Sequence, residues 1–236
     1  MSSSKFIVPP QGLVLVTGVN GFIGSHIANN LLSLGYRVRG TVRDSDKADW
    51  ITEAMQERNP SGHFEVVIIP DVTAADAWSE VVQGVDGIVH VATDMSFDAD
   101  PNKVITPIVQ GPGSTGKWVR DFWKDPGHYK DLQQFGASWY IDVEDTALLH
   151  IAALTQEDVK SERLLGFAGP FNFNSWLDVF RQLDPSKPWP DDDPSQEHNL
   201  CKVDTGREVE LLKRFGQSGW TSFYESVRKN CLESRE

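Results

Sequence analysis

Gly18, Gly21 and Gly24 stand three residues apart, directly after the apolar run Leu13-Val14-Leu15-Val16-Thr17 and directly before a segment whose apolar residues recur at helical spacing. Glycines so placed suit one kind of chemistry, the close approach of a phosphate chain to backbone amides. Gly18 permits the tight turn, Gly21 removes the β-carbon that would block a pyrophosphate, and Gly24 lets helix and strand pack closely. The phosphates then rest on the helix N-terminus, where free amides and the helix dipole favour negative charge. Thr17, Phe22 and Ile23 complete the expected cradle. A glycine triplet alone is weak evidence; this one has a strand before it and a helix after it.

The end of the next expected strand, residues 37–42, reads the nucleotide. A carboxylate there receives a ribose 2′-hydroxyl, whereas Arg receives a 2′-phosphate. Val42 is followed by Arg43, with Lys47 four residues on, and this favours NADP(H) over NAD(H). Asp44 beside Arg43 points the other way, and solvated ion pairs of Arg43 and Lys47 with Asp44 and Asp46 are the simpler alternative.

The elements that must position these groups follow from periodicity. Strands are expected over residues 13–17, 37–42, 64–69 and 87–92, and helices over 25–34, 47–58 and 74–82, the last with Trp78, Val81 and Val82 as its apolar face. Strands alternating with helices give an α/β fold with a doubly wound parallel sheet of Rossmann type. After Thr93 the rhythm stops. Helices are expected over 117–124, 175–183, 209–215 and 223–232, and short strands over 139–143 and 164–167. Asp142 and Asp145 resemble a capping arrangement for a helix running to Leu154, and residues 184–198 form a Pro- and Asp-rich loop. The expected division is a nucleotide-binding unit over 1–110 and a remnant substrate lobe with C-terminal helices over 111–236.

Composition narrows the partners. With a formal net charge of −12 the chain would repel nucleic acid. Its apolar runs are too short to cross a bilayer, the first residues lack the apolar core of a signal peptide, and Cys201 and Cys231 have no metal spacing. The expectation is a cytoplasmic protein with reduced thiols, no metal and a small-molecule substrate.

The segments TGVNGFIGSH, GYRVRGTVR, Asp71-Val72 and VDGIVHVAT resemble the extended short-chain dehydrogenases, the NAD-dependent epimerase/dehydratase superfamily. They are most similar to the branch of dihydroflavonol reductases, cinnamoyl-CoA reductases and fungal aldehyde and ketone reductases. WYIDVEDTALLHIAAL, FNFNSWLDVF and FGQSGWTSFYESV extend the resemblance over nearly the whole chain. It implies that Asp71 and Val72 flank the adenine, that Val91, Ala92 and Thr93 line the path to the nicotinamide, and that the activity is NADPH-dependent reduction of a carbonyl compound in secondary metabolism.

The resemblance also implies a Ser and a Tyr-x-x-x-Lys pair, in which the phenol protonates the carbonyl oxygen as hydride arrives. None of the four tyrosines fits: Tyr36 is followed four residues on by Gly40, Tyr129 by Gln133 and Tyr140 by Glu144, while Tyr224, followed by Arg228, matches a different family segment. The matching segments break off near Gln110 and resume near Gly113, with Gly111-Pro112-Gly113 as a flexible junction. Three functions remain open: a carbonyl reductase using a non-family acid such as Tyr129 or Tyr140, a non-catalytic NADP-binding partner protein, and a non-redox isomerase or cyclase. His26 and His90 read as packed or hydrogen-bonded, and His128-Tyr129-Lys130 as a solvated loop. Loss of a fifth strand would leave an edge beside residues 87–92, partly covered by residues 104–109 or used to form a homodimer.

Overall fold

The computed structural model describes residues 7–92, 116–133 and 136–233. Two compact units divide the chain, one comprising Met1–Pro112 with Thr146–Arg163 and the other Gly113–Asp145 with Leu164–Glu236. Three features singled out from the sequence lie outside the described residues: Thr93, the segment 104–109 and the junction Gly111-Pro112-Gly113.

In the first unit, β1 (Leu13–Thr17) is buried along its whole length, as a central strand flanked on both faces must be. Helix α1 (Phe22–Ser33) buries Ile27, Ala28, Leu31 and Leu32, one stripe at helical spacing. β2 (Arg37–Val42), α2 (Ser45–Arg58), β3 (Phe64–Ile68) and β4 (Gly87–His90) follow. The four strands lie in the order β3-β2-β1-β4 and all pair in parallel. This is the α/β Rossmann arrangement expected from the alternation of elements. The registers Thr17↔Thr41 and Thr17↔His90 place those three side chains in one row at the C-terminal end of the sheet. Among the described residues β4 pairs only with β1, and its Ile88 is 52% exposed.

The helix expected over 74–82 is instead a run of turns. Ala77, Ser79 and Gln83 donate to carbonyls three residues back, and Val82 alone reaches four back, to Trp78. Local polar groups compete with helical bonding here. Asp71 Oδ1 accepts from the Thr73 amide and hydroxyl, the Trp78 indole donates to the Val72 carbonyl, and Arg39 Nη1 donates to the carbonyls of Val81 and Gln83. Trp78 and Val81 still pack on Leu15 and Ile69, as the apolar pattern required, while Val82 is exposed.

The second unit holds α3 (Gly116–Lys124), a 3₁₀ turn at Pro126–His128, α4 (Tyr129–Gln133) and β5 (Ser138–Tyr140). After the start of α5 (Val143–Thr155), most of which belongs to the first unit, come β6 (Gly169–Phe171), α6 (Phe173–Leu183), α7 (Gly206–Arg214) and α8 (Phe223–Leu232). β5 and β6 pair antiparallel. The core is aromatic, with Phe122, Phe173, Trp176 and Phe180 buried and Trp123 and Trp189 packed against them. The strand expected over 164–167 does not form. Leu165 N donates to the buried Glu208 Oε1 at 2.6 Å, and the ladder starts at Gly169. β5 likewise stops at Tyr140, because Asp142 Oδ1 accepts from Glu144 N at 2.9 Å and turns the chain into α5. Asp145 accepts from the amide and hydroxyl of Thr221 at 2.8 and 2.9 Å.

Candidate nucleotide site

β1, β2 and β4 end side by side, and the turn after β1 is fastened to both neighbours. Gly18 has φ of +64°, the left-handed region that glycine enters without strain. Its amide donates to Thr41 Oγ1 at 3.3 Å, and the Val19 amide donates to the Thr41 carbonyl at 3.1 Å. The Val19 side chain fills the space above Gly40, where a β-carbon would come within 2.8 Å of Val19 Cβ.

The other two glycines have different reasons. A β-carbon on Gly24 would collide with the Gly18 carbonyl oxygen and lie 3.1 Å from Val19 Cα, so Gly24 serves the packing of α1 against the turn. A β-carbon on Gly21 would meet Gly18 O at 3.1 Å and nothing else within 4 Å, so Gly21 faces open space. Gly21 is the N-cap of α1, offers no capping side chain, and is followed by a first turn without an acid. The leading amides of α1 are therefore left for an outside acceptor. Phe22 and Ile23 stand partly exposed at this end, Phe22 packed edge-on against His26 with ring centroids 5.3 Å apart.

Thr17 differs from its neighbours in the motif. It is buried, and its hydroxyl receives the amides of Val91 and Ala92, each at 3.2 Å, and lies 2.8 Å from His90 Nδ1. It positions the chain beyond β4 and does not line the surface. A β-carbon on Gly18 would lie 3.2 Å from Ala92 Cα, which shows how closely the two turns approach.

Arg43 and Lys47 separate. Lys47 Nζ pairs with Asp44 Oδ2 at 3.0 Å, and Asp44 Oδ1 caps α2 by accepting from Lys47 N at 3.0 Å. The two Lys47 hydrogen bonds hold the Asp44 carboxyl below its ordinary range. Asp44 is thus committed to the helix cap. Half-buried Arg43 has no hydrogen bond or ion pair among the described residues and acts on Asp44 only through its charge. Asp71 is exposed, and its Oδ1 bonds to Thr73 hold its carboxyl low. Val72 packs on the cluster of Leu15, Ile69 and Val81, while Val91 and Ala92 are half-buried, Ala92 beside Gly18. Sequence reasoning missed Thr41 and the part played by His90. Their signal was polarity at the C-terminal ends of two strands, Thr41 one residue before the end of β2 and His90 the last residue of β4. Among the described residues no three His, Cys, Asp or Glu side chains gather as a metal site, and no helix is long and apolar enough to cross a membrane.

Comparisons with known proteins bear on the family and the fold. The NAD dependent epimerase/dehydratase family matches residues 14–110. The chain is 42% identical to NAD-dependent epimerase/dehydratase terH of Aspergillus terreus, over 99% of this chain and 100% of that protein. That alignment runs over 340 positions against the 236 residues here, so roughly a hundred aligned positions have no counterpart in this chain. Ketoreductase nvfG of Aspergillus novofumigatus is 27% identical, over 99% of this chain and 100% of its own length. The crystal structure of Gre2 in complex with NADPH from Candida albicans shares the fold, with a TM-score of 0.71 at 19% identity, over 95% of this chain and 98% of that one. The chain belongs to the NAD-dependent epimerase/dehydratase family, an extended branch of the short-chain dehydrogenases.

Proposed function

We propose that this protein binds NADP(H) at the turn between β1 and α1, and that it is by family a reductase of an aldehyde or ketone whose proton-transfer step is impaired. The observation that carries the cofactor choice is the engagement of Asp44 by Lys47 and the α2 cap, with no hydrogen bond or ion pair from Asp44 to Arg43. An acid already engaged by a helix cap and a lysine is a poorer acceptor for a ribose hydroxyl, and the guanidinium beside it, which makes no hydrogen bond or ion pair among the described residues, suits a 2′-phosphate. The leading amides of α1 and the open side of Gly21 suit the pyrophosphate. Asp71 and Val72 would border the adenine, and Val91 and Ala92 the nicotinamide. Residues 1–110 would be the nucleotide-binding unit and 111–236 a remnant substrate lobe.

When bound, NADPH supplies a hydride to a carbonyl carbon. The carbonyl oxygen must then gain a proton, and the family's Tyr-x-x-x-Lys pair is absent from the sequence. Tyr140 and Tyr129 are poorly suited to replace it. Tyr140 donates its hydroxyl to the Thr221 carbonyl at 3.0 Å, and burial, helped by the Asp145 charge, pushes its pKa up, which weakens it as an acid. Tyr129 packs beside Phe173 in the aromatic core. The alignment positions without counterpart are consistent with loss of the block that holds the pair. The same absence favours a second reading, a non-redox role for an NADP-binding chain, either as a partner protein or as an isomerase or cyclase.

NADPH oxidation with a panel of aldehydes and ketones separates the two. General acid catalysis typically contributes 10²–10⁴-fold, so rates near background are expected. Several turnovers per second on any carbonyl would overturn the impaired-chemistry reading.

A further inference from the structure

We infer that His90 is a positioning residue for the nucleotide site: held as the neutral tautomer with its proton on Nε2, it aims the Thr17 hydroxyl so that both oxygen lone pairs face the chain beyond β4. The inference rests on counting one hydroxyl. A threonine hydroxyl has one hydrogen to give and two lone pairs to fill. The amides of Val91 and Ala92 both reach Thr17 Oγ1 at 3.2 Å, and amides can only donate, so the lone pairs are taken. The remaining contact, 2.8 Å to His90 Nδ1, must then use the Thr17 hydrogen. Nδ1 is therefore an acceptor, and the ring proton sits on Nε2.

The arrangement acts in both directions. Thr17 is fully buried, so its hydroxyl cannot turn to solvent for a partner. Without an acceptor at the Nδ1 position, the hydroxyl hydrogen would have to seek another direction and compete with one of the two amide bonds. Val91 and Ala92 would lose part of their anchor. Ala92 lies against Gly18, and Gly18 is in turn tied to Thr41, the residue beside Thr17 in the sheet register. The row Thr41, Thr17, His90 thus fastens the phosphate turn to β2 and the chain beyond β4 to β1. His90 is an exposed side chain at the end of this row, so its replacement does not open a cavity in the core.

This rests on the nucleotide reading above, and the test keeps the two apart. In the protein without nucleotide, ¹⁵N NMR at pH 8 should show His90 with a pyridine-type Nδ1 and a pyrrole-type Nε2. Thr17→Val should convert this to a mixture of tautomers, and Thr17→Ser should keep it. His90→Phe should weaken NADPH binding roughly fivefold to tenfold, the effect of one hydrogen bond. His90→Asn, whose amide oxygen can sit where Nδ1 sits, should restore most of it. An Nδ1-protonated ring in the unaltered protein would overturn the inference, and so would NADPH binding by His90→Phe as tight as that of the unaltered chain. Absence of NADPH binding by the unaltered chain with the expected tautomer intact would overturn the nucleotide reading and uphold the bond assignment.

Discussion

Alanine at Gly21 and at Gly24 should separate binding from folding, because the surroundings of the two glycines differ. At Gly24 the new methyl meets the Gly18 carbonyl oxygen and Val19 Cα, which are backbone on the tightest part of the turn. Overpacking of this kind costs about 1–3 kcal/mol. Taking about 2 kcal/mol, and about 2–4 °C per kcal/mol for a chain of this size, Tm should fall by roughly 4–8 °C. At Gly21 the backbone is extended, with φ −75° and ψ 164°, and the methyl meets one atom at 3.1 Å. Alanine is a poorer N-cap than glycine by some tenths of a kcal/mol, and it gains about as much by stiffening the unfolded chain, so Tm should move by little. A saturating nucleotide at a hundredfold excess over Kd adds about 2.7 kcal/mol to the native state. Gly21→Ala should lose that increment if the pyrophosphate binds as proposed, since its methyl would occupy the open side of the turn. Scanning calorimetry with and without NADP⁺ reads both quantities. Equal destabilisation by the two variants, or a full nucleotide increment in Gly21→Ala, would refute the assignment of separate roles.

Asp44→Ala should cost about 1 kcal/mol through loss of the α2 cap, with Asp44→Ser costing less and leaving the preference for NADP⁺ unchanged; urea unfolding and nucleotide titration check this. Thr221→Val removes one of the hydrogen bonds to the buried Asp145. Burial already raises the pKa of this carboxyl above its ordinary value of 3.8, so the native chain holds its proton to higher pH than the unfolded chain, and stability from this group falls as pH rises through that window. The variant raises the native pKa further, so its deficit should grow from pH 3 toward pH 7 in thermal scans; a deficit that shrinks with rising pH would contradict the assignment. The outer edge of β4, unpaired among the described residues and carrying exposed Ile88, should drive self-association at micromolar concentration, and light scattering that reports a stable monomer would contradict this.

The sheet was legible because its signal is strong and local. Four strand segments separated by helical or turn segments leave few topologies, and the glycine spacing located the turn. Boundaries failed where side chains compete with backbone bonding. Nothing in the periodicity of residues 74–82 reveals that Asp71 and Thr73 close a turn, or that Arg39, distant in sequence, collects the carbonyls of Val81 and Gln83. The strand expected over 164–167 failed for a similar reason, since its Leu165 amide is taken by Glu208, 43 residues away. In the site, the sequence placed Arg43, Asp44 and Lys47 together but could not assign their partners. That assignment depends on Asp44 sitting at a helix N-cap, which only the fold decides. Thr17 was legible as part of the motif and not as a buried anchor, because its partners Val91 and Ala92 lie more than seventy residues on.

The most direct test of the account is titration calorimetry of the unaltered chain and of Arg43→Ala with NADP⁺ and NAD⁺ in parallel. The unaltered chain should bind NADP⁺ more tightly than NAD⁺, and Arg43→Ala should lower the affinity for NADP⁺ to that for NAD⁺ while leaving NAD⁺ unchanged. Equal affinity of the unaltered chain for the two nucleotides, or a preference that survives in Arg43→Ala, would contradict it.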